Sequence, residues 1–268
     1  MIRTWKILAD RSGEVSFTSE ASLDSITRQL PDGYYSTFRT YAECTRVIGL
    51  SYHFRRLPGI DASFLRRQLV RLLEQYRPRE ARVRVILTYQ GQLYIVIEPL
   101  IPFPKKIYEK GVYVETTSIQ RNRPREKSTT FIDQSDKERR SIAEKDVFEA
   151  LLVTNGRILE GMTSNFFYIH NGVLHTAQRD VLPGVTRRTV IRVARGEGIG
   201  VRYKSLKLDQ VSAVSEAFLT SSSRGIVPVI QIDDVRVGEG RVGKITERLI
   251  SGYEGYVLKH AERIDQGT

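Results

Sequence analysis

Residues 150–188 read ALLVTNGRILEGMTSNFFYIHNGVLHTAQRDVLPGVTRR, and the fold turns on how they are read. Apolar runs at 151–153 and 158–159 flank Asn155-Gly156, and a second pair at 166–169 and 173–174 flanks Asn171-Gly172. An Asn-Gly pair between β-prone runs marks a tight hairpin, because both turn residues must take positive φ. Between the two hairpins lies Glu160-Gly161-Met162-Thr163-Ser164-Asn165, acidic and rich in hydroxyls where a plain sandwich would place only a loop. After the second hairpin, Leu182-Pro183-Gly184-Val185-Thr186 leads into Thr189, Val190, Val193 and Ala194 at helical spacing. The Pro-Gly turn delivers a helix N-terminus, whose amides and dipole suit a phosphate. A carboxylate and an amide-lined anion site on one β scaffold read as the two ends of a grip on a charged cofactor.

The chain has 268 residues, 40% of them hydrophobic, enough for one large domain or two moderate ones. It contains no run of about 18 apolar residues, so no membrane span is expected. The start, MIRTWKILADRSGE, lacks the apolar run of a signal peptide, and a cytoplasmic protein is expected. A single cysteine, Cys44, excludes an internal disulfide. The four histidines (His53, His170, His175, His260) are scattered without zinc spacing, so no metal is expected.

The net charge of +11, from 42 Lys+Arg against 31 Asp+Glu, favours anionic partners. That charge is spread, with local runs at 121–127, 137–140 and 187–188. Nucleic-acid binders interleave basic residues with aromatics or carry a reading module. Neither is visible, so solvated faces account for most of the arginines and no nucleic-acid partner is expected.

Along the chain, strands are expected at 4–8, 34–41, 82–87, 93–98 and 111–116. Helices are expected at 23–30 and 42–57, and again after Asp61 or Ser63, where Leu65, Leu69, Leu72 and Leu73 line one face. Beyond a linker come a polar helix at 131–143, the two hairpins, the helix at 186–195 and a strand at 201–203. A short helix from Asp209, strands at 218–220, 227–232 and 235–237, and a closing helix at 244–260 complete the reading. This predicts two α/β domains of α+β type with mixed sheets: a smaller N-terminal α/β sandwich at 1–117, a linker at 118–127, and a larger barrel-like domain at 128–268.

Four blocks of this sequence, in order, resemble the fold-type IV (class IV) aminotransferases that use pyridoxal 5′-phosphate. That family includes branched-chain and D-amino acid aminotransferases and aminodeoxychorismate lyases. The blocks are Asp32-Gly33…Arg39-Thr40-Tyr41 with His53-Phe54-Arg55-Arg56-Leu57; Glu160 to Asn165; Leu182 to Arg187; and the segment 218–229, FLTSSSRGIVPV. Each alone is weak, but the ordered set is specific and covers nearly the whole chain.

The resemblance implies a lysine that forms the internal aldimine some thirty-odd residues before the glutamate. Lys127 fits, at 160 − 127 = 33 positions, whereas Lys137 lies in a charged surface run. Several branched-chain relatives carry a tyrosine five positions after that lysine, but here the position is Ile132. A lysine amine condenses with an aldehyde only when neutral, so it must be held below its usual value of about 10.4. Lys127 would then shuttle the proton at the substrate α-carbon, and Glu160 would face the pyridine nitrogen.

The resemblance also gives Arg56, the amides of Val185 and Thr186, Ser221 and Ser222 to the phosphate, and Ser164 and Asn165 to groups around the ring. Tyr35, Arg39, Arg84 and Ser223 match positions that line the substrate pocket. Arg224-Gly225 replaces an Ala-Glu pair of well-known branched-chain enzymes.

The activity implied is transfer of an amino group from an α-amino acid to a 2-oxo acid. The alternative is 4-amino-4-deoxychorismate lyase chemistry releasing 4-aminobenzoate and pyruvate, suggested by Tyr35-Ser36-Thr37. A third reading, a non-catalytic nucleic-acid binder, rests on charge alone. The family further implies a homodimer, with the pocket between the domains.

Overall fold

The computed structural model describes every residue except Asp10, Glu20, Gly267 and Thr268. The chain begins with β1 (Arg3–Ile7), β2 (Ser12–Val15), α1 (Leu23–Thr27), β3 (Gly33–Arg39) and β4 (Arg46–Val47). Next come α2 (Leu50–Phe54), α3 (Ala62–Tyr76), β5 (Ala81–Thr88), β6 (Leu93–Pro99), α4 (Lys106–Glu109) and β7 (Val112–Thr117). They are followed by α5 (Thr130–Gln134), α6 (Asp136–Ala143), β8 (Glu149–Thr154), β9 (Arg157–Gly161), β10 (Asn165–His170) and β11 (Val173–Thr176). Then α7 (Val185–Gly196), β12 (Val201–Tyr203), β13 (Leu206–Lys207) and a 3-10 turn (Leu208–Ala213) lead to β14 (Glu216–Ser221). The last elements are β15 (Gly225–Ile232), β16 (Val235–Arg236), α8 (Lys244–His260) and β17 (Glu262–Arg263).

Two compact units result, and they are not the contiguous halves 1–117 and 128–268 expected from the sequence. The first comprises Met1–Pro102, Glu126–Gln134 and the residues from Lys259 on; the second comprises Phe103–Arg125 and Ser135–Leu258. Strand pairing is the reason. β7 lies parallel between β15 and β8, so it belongs to the second sheet, while β17 pairs with β4. The segment around Lys127, read as linker, returns to the first unit.

In the first unit an antiparallel sheet runs β2-β1-β6-β5-β3. Leu65, Leu69, Leu72 and Leu73 of α3 pack on one face with Trp5, Phe38 and the inward residues of β5 and β6. Leu23, Ile26 and Ile132 cover the other face against Tyr35, Ile86, Tyr94 and Val96. Asp61, not Ser63, caps α3 by accepting from the Phe64 amide. Beside the edge strand β3 lies the lysine segment: the Tyr35 amide donates to the Lys127 carbonyl (2.9 Å) and the Thr129 amide to the Gly33 carbonyl (2.9 Å). Gly33 is required there, because a Cβ would sit 2.1 Å from the Leu87 carbonyl oxygen.

The expected helix at 42–57 is instead a turn, β4 and the single-turn α2. Ala42, Glu43 and Cys44 take φ of 52°, 56° and 64°. This left-handed turn is sterically costly for residues with a Cβ. The Glu80 carboxylate holds it by accepting from Thr40 Oγ1 (2.6 Å) and the Glu43 amide (3.1 Å). The expected helix at 131–143 breaks at buried Ser135, so α5 goes with the first unit and α6 with the second.

In the second unit both Asn-Gly pairs turn as required: φ is 49° and 66° at Asn155 and Gly156, and 49° and 71° at Asn171 and Gly172. The ten-stranded sheet follows the path β12-β11-β10-β14-β15-β7-β8-β9-β13, with β16 on β15. One additional pairing, Glu160 with Asn165, joins β9 back to β10 and closes six strands into a barrel. Val114, Leu151, Ile158, Phe166, Leu219 and Val227 fill its core. Among the described residues no helix is long and apolar enough to cross a membrane.

Candidate active site

The pair that closes the barrel also builds an acid site. Glu160 is 2% exposed. Its Oε2 accepts from Asn165 Nδ2 and from the Leu182 amide, both at 2.9 Å. Its Oε1 lies 3.2 Å from Nε of Arg121, itself almost fully buried, whose Nη2 donates to the Met162 carbonyl. Asn165 Nδ2 also donates to the Leu182 carbonyl at 2.9 Å, which locks the Leu182-Pro183-Gly184 turn to the strand end. Glycine is needed on both sides. A Cβ on Gly184 would lie 2.0 Å from Asn165 Oδ1, and one on Gly161 would lie 2.3 Å from Ser164 Oγ.

A second buried carboxylate, Glu149, sits beneath the same loop. It accepts from the Thr163 amide and hydroxyl and from Ser164 Oγ (3.1 Å), and it pairs with Arg224 Nη2 at 3.0 Å. Arg224 also donates through Nε to Ser221 Oγ (3.1 Å) and through Nη2 to Thr163 Oγ1. The segments Glu160 to Asn165 and Ser221 to Arg224 are thereby bolted together. Ser222 and Ser223 occupy the half-buried turn between β14 and β15. α7 starts at buried Val185 and Thr186 behind an extended Gly184 that offers no side-chain cap, leaving a helix start of the kind that holds anions.

The first unit gathers cations. Lys127 Nζ lies 4.8 Å from the centre of the Tyr35 ring, and the Arg84 guanidinium lies at the same distance. Arg84 is 7% exposed and committed to the fold. It donates to Thr37 Oγ1, the Leu23 carbonyl, Asp24 Oδ1 and Thr27 Oγ1, at 2.7 to 3.0 Å. This binds α1 to the sheet. Arg82, on the same strand face, pairs with Glu98. Arg39 lies over the Tyr41 ring at 4.6 Å. Arg56 Nη1 donates to Ser36 Oγ at 3.3 Å, and that oxygen is 2.8 Å from Nδ1 of fully buried His53. Burial, reinforced by the charges of Arg56 and Lys127, pushes His53 well below its ordinary value of 6.5.

The sequence pattern of class IV amino-transferases matches residues 36–232, about three-quarters of the chain. The chain belongs to the class IV aminotransferase family. It is 30% identical over 253 residues to a Methanocaldococcus jannaschii protein that carries a provisional branched-chain-amino-acid aminotransferase name, covering 81% of this chain and 84% of that one. The crystal structure of a Thermotoga maritima protein, named provisionally in the same way, is similar with a TM-score of 0.80 at 26% identity over 96% of each chain. A T.th. branched-chain amino acid aminotransferase with pyridoxamine 5′-phosphate shares the fold, with a TM-score of 0.78 at 19% identity over 98% of each chain. The closed sheet is thus that of fold-type IV aminotransferases, and the chain is an enzyme of that family.

The residues singled out in the sequence divide between the two units of this aminotransferase. Glu160, Ser164, Asn165, Val185, Thr186, Ser221, Ser222 and Ser223 lie in the second unit, and Tyr35, Arg39, Arg56, Arg84 and Lys127 in the first. Ile132 is buried in the core beside Tyr35. Three residues with a part in the geometry were missed: Arg121, Glu149 and His53. Arg121 looked like linker charge, and Glu149 carries no local signal. His53 was a motif letter whose spacing of three to Arg56 is one helical turn, the available clue.

Proposed function

We propose that this enzyme moves an amino group between an α-amino acid and a 2-oxo acid, with pyridoxal 5′-phosphate as its cofactor. The observation that carries the reading is the Glu160 carboxylate, buried at the barrel's closing pair with a guanidinium and two N–H donors converging on it. The donor set fits the cofactor's chemistry. Lys127 supplies an amine for its aldehyde, Glu160 an anion for its ring nitrogen, and Arg56, Ser222 and the start of α7 supply donors for its phosphate. When bound, the cofactor supplies an aldehyde and a protonated ring that draws electrons from the substrate's α-carbon.

The protein's own tasks follow. Lys127 Nζ takes the α-carbon proton and gives it back, and its carbonyl bond to the Tyr35 amide fixes the backbone from which it works. Glu160 stays an anion facing the ring, oriented by Asn165 and Leu182. Asn165 and Ser164 act by holding the loop, because Asn165 Nδ2 is directed at Glu160 and Leu182 and Ser164 Oγ at Glu149. Tyr35 and Ser223 are the substrate-facing residues of this reading, with Arg39 at the strand end.

Transamination is favoured over the lyase reading. The relatives described above carry aminotransferase names, two of them provisional, and the hydroxyls of Ser36 and Thr37 are engaged by His53, Arg56 and Arg84. A cytoplasmic homodimer is the family-based part of the proposal, and the size of the purified protein in solution tests the dimer.

The test of the activity is reconstitution with pyridoxal phosphate and a panel of amino donors against 2-oxoglutarate and pyruvate. Turnover with at least one pair is expected, with Lys127→Ala losing both turnover and the visible cofactor band. An unchanged band and rate in that variant would contradict the assignment.

A further inference from the structure

We propose that His53 is a positioning residue: through the Ser36 hydroxyl it aims Arg56 at the cofactor's phosphate. The inference rests on the assignment of Arg56 to the phosphate in the reading above. His53 and Arg56 lie one turn apart at the end of α2, with the Arg56 amide donating to the His53 carbonyl at 3.3 Å. Both side chains reach one atom, the oxygen of fully buried Ser36 on β3, at 2.8 and 3.3 Å. Phe38, two residues along the same strand face, holds the imidazole from the side with ring centres 5.1 Å apart.

The hydrogen bonding has a fixed direction at its outer end. A guanidinium only donates, so Ser36 Oγ accepts from Arg56. The hydroxyl has one proton left to give, and a neutral imidazole nitrogen takes it. In the other tautomer the imidazole donates, and the serine proton turns elsewhere. Either way the serine oxygen stays pinned between the two residues. The charged groups against His53 are Arg56, in the turn after its helix, and Lys127, on the segment beside β3. Both are cations, which keeps the imidazole neutral and able to accept. A histidine three residues before the arginine thus serves the arm of the arginine, where a merely structural histidine would need only the serine.

The test compares the apoprotein's affinity for pyridoxal phosphate with its affinity for pyridoxal, which lacks the phosphate, by the visible absorbance of the lysine-bound form. His53→Leu and Ser36→Ala are expected to weaken pyridoxal phosphate binding by about tenfold, the worth of one lost hydrogen bond to a charged group. Pyridoxal binding should stay within about twofold, well below that tenfold step. His53→Asn, which restores an amide near the position of Nδ1, should recover most of the phosphate-dependent part. Thermal melting checks that each variant is folded, and Ser36→Ala carries the test if His53→Leu is not. Equal losses for both aldehydes, or no loss for either, would overturn the inference and leave the proposed function standing. A wild-type protein that captures neither aldehyde would overturn both.

Discussion

The two units place the charges of the proposed site in different surroundings. The second buries carboxylates and fastens them with directional contacts: Glu160 between Arg121, Asn165 and the Leu182 amide, and Glu149 between Arg224, Thr163 and Ser164. In the first, Lys127 lies over the face of Tyr35 and Arg56 donates to the Ser36 hydroxyl. The difference matches the work proposed for each. An acid that must remain an anion gains from a fixed cage, whereas an amine that exchanges partners has to move between them. Arg84, with four hydrogen bonds, and Arg66, which pairs with Glu262 at 2.7 Å, are cations of the first unit fastened into its scaffold.

The largest test of the cage is Glu149→Gln, which leaves Arg224 buried without its counter-charge. A loss of about 3–5 kcal/mol is expected in denaturant unfolding. The double variant Glu149→Leu/Arg224→Leu should recover much of it. A loss below about 1 kcal/mol, the value of an exposed pair, would show that the cage is wet and weak.

Gly33→Ala comes next, with an expected cost of about 1–3 kcal/mol from overpacking, because its Cβ meets the Leu87 backbone and not a side chain that can rotate. The same measurement on Gly161→Ala and Gly184→Ala should show smaller stability losses, since their clashes are with side chains. Cofactor affinity should fall in these two, because Ser164 and Asn165 must move.

A smaller effect is set by pH. His53 and His175 are both pushed below 6.5, mainly by burial. A histidine depressed in the folded state takes up its proton on unfolding, so its stability is full above about pH 6.5 and is lost as pH falls below that value. His53→Asn should flatten the acid side of the stability curve by at most about 1.4 kcal/mol per pH unit, the slope of one proton. An unchanged slope would place the protonation elsewhere.

Smallest is Arg82→Ala, whose partly exposed pair with Glu98 should contribute about 1 kcal/mol or less. Arg84→Met, on the same strand face, should cost clearly more.

Features set by neighbours in sequence were legible before the fold was known. The Asn-Gly turns, the Asp61 cap, the leucine face of α3 and the Pro-Gly entry to α7 all follow from local conformational preference. The motif order carried the family. The rest depended on partners distant in sequence. The segment 42–57 has helical composition, yet Gly49 at φ 62° and the remote Glu80 carboxylate turn it into a hairpin and one helical turn. The parallel pairing of β7 with β15 moved the domain boundary back to Pro102. Arg121 and Glu149 acquire meaning only when a carboxylate or guanidinium arrives from another segment, and the bonds of Arg84 to α1 join residues some sixty positions apart.

The central claim is that Lys127 is the amine that captures the cofactor. Borohydride fixation of the protein after reconstitution with pyridoxal phosphate, followed by peptide mass mapping, tests it most directly. The account predicts one pyridoxyl phosphate adduct, on the peptide containing Lys127 and absent from Lys127→Ala. An adduct on Lys137 or another lysine, or none at all, would contradict it.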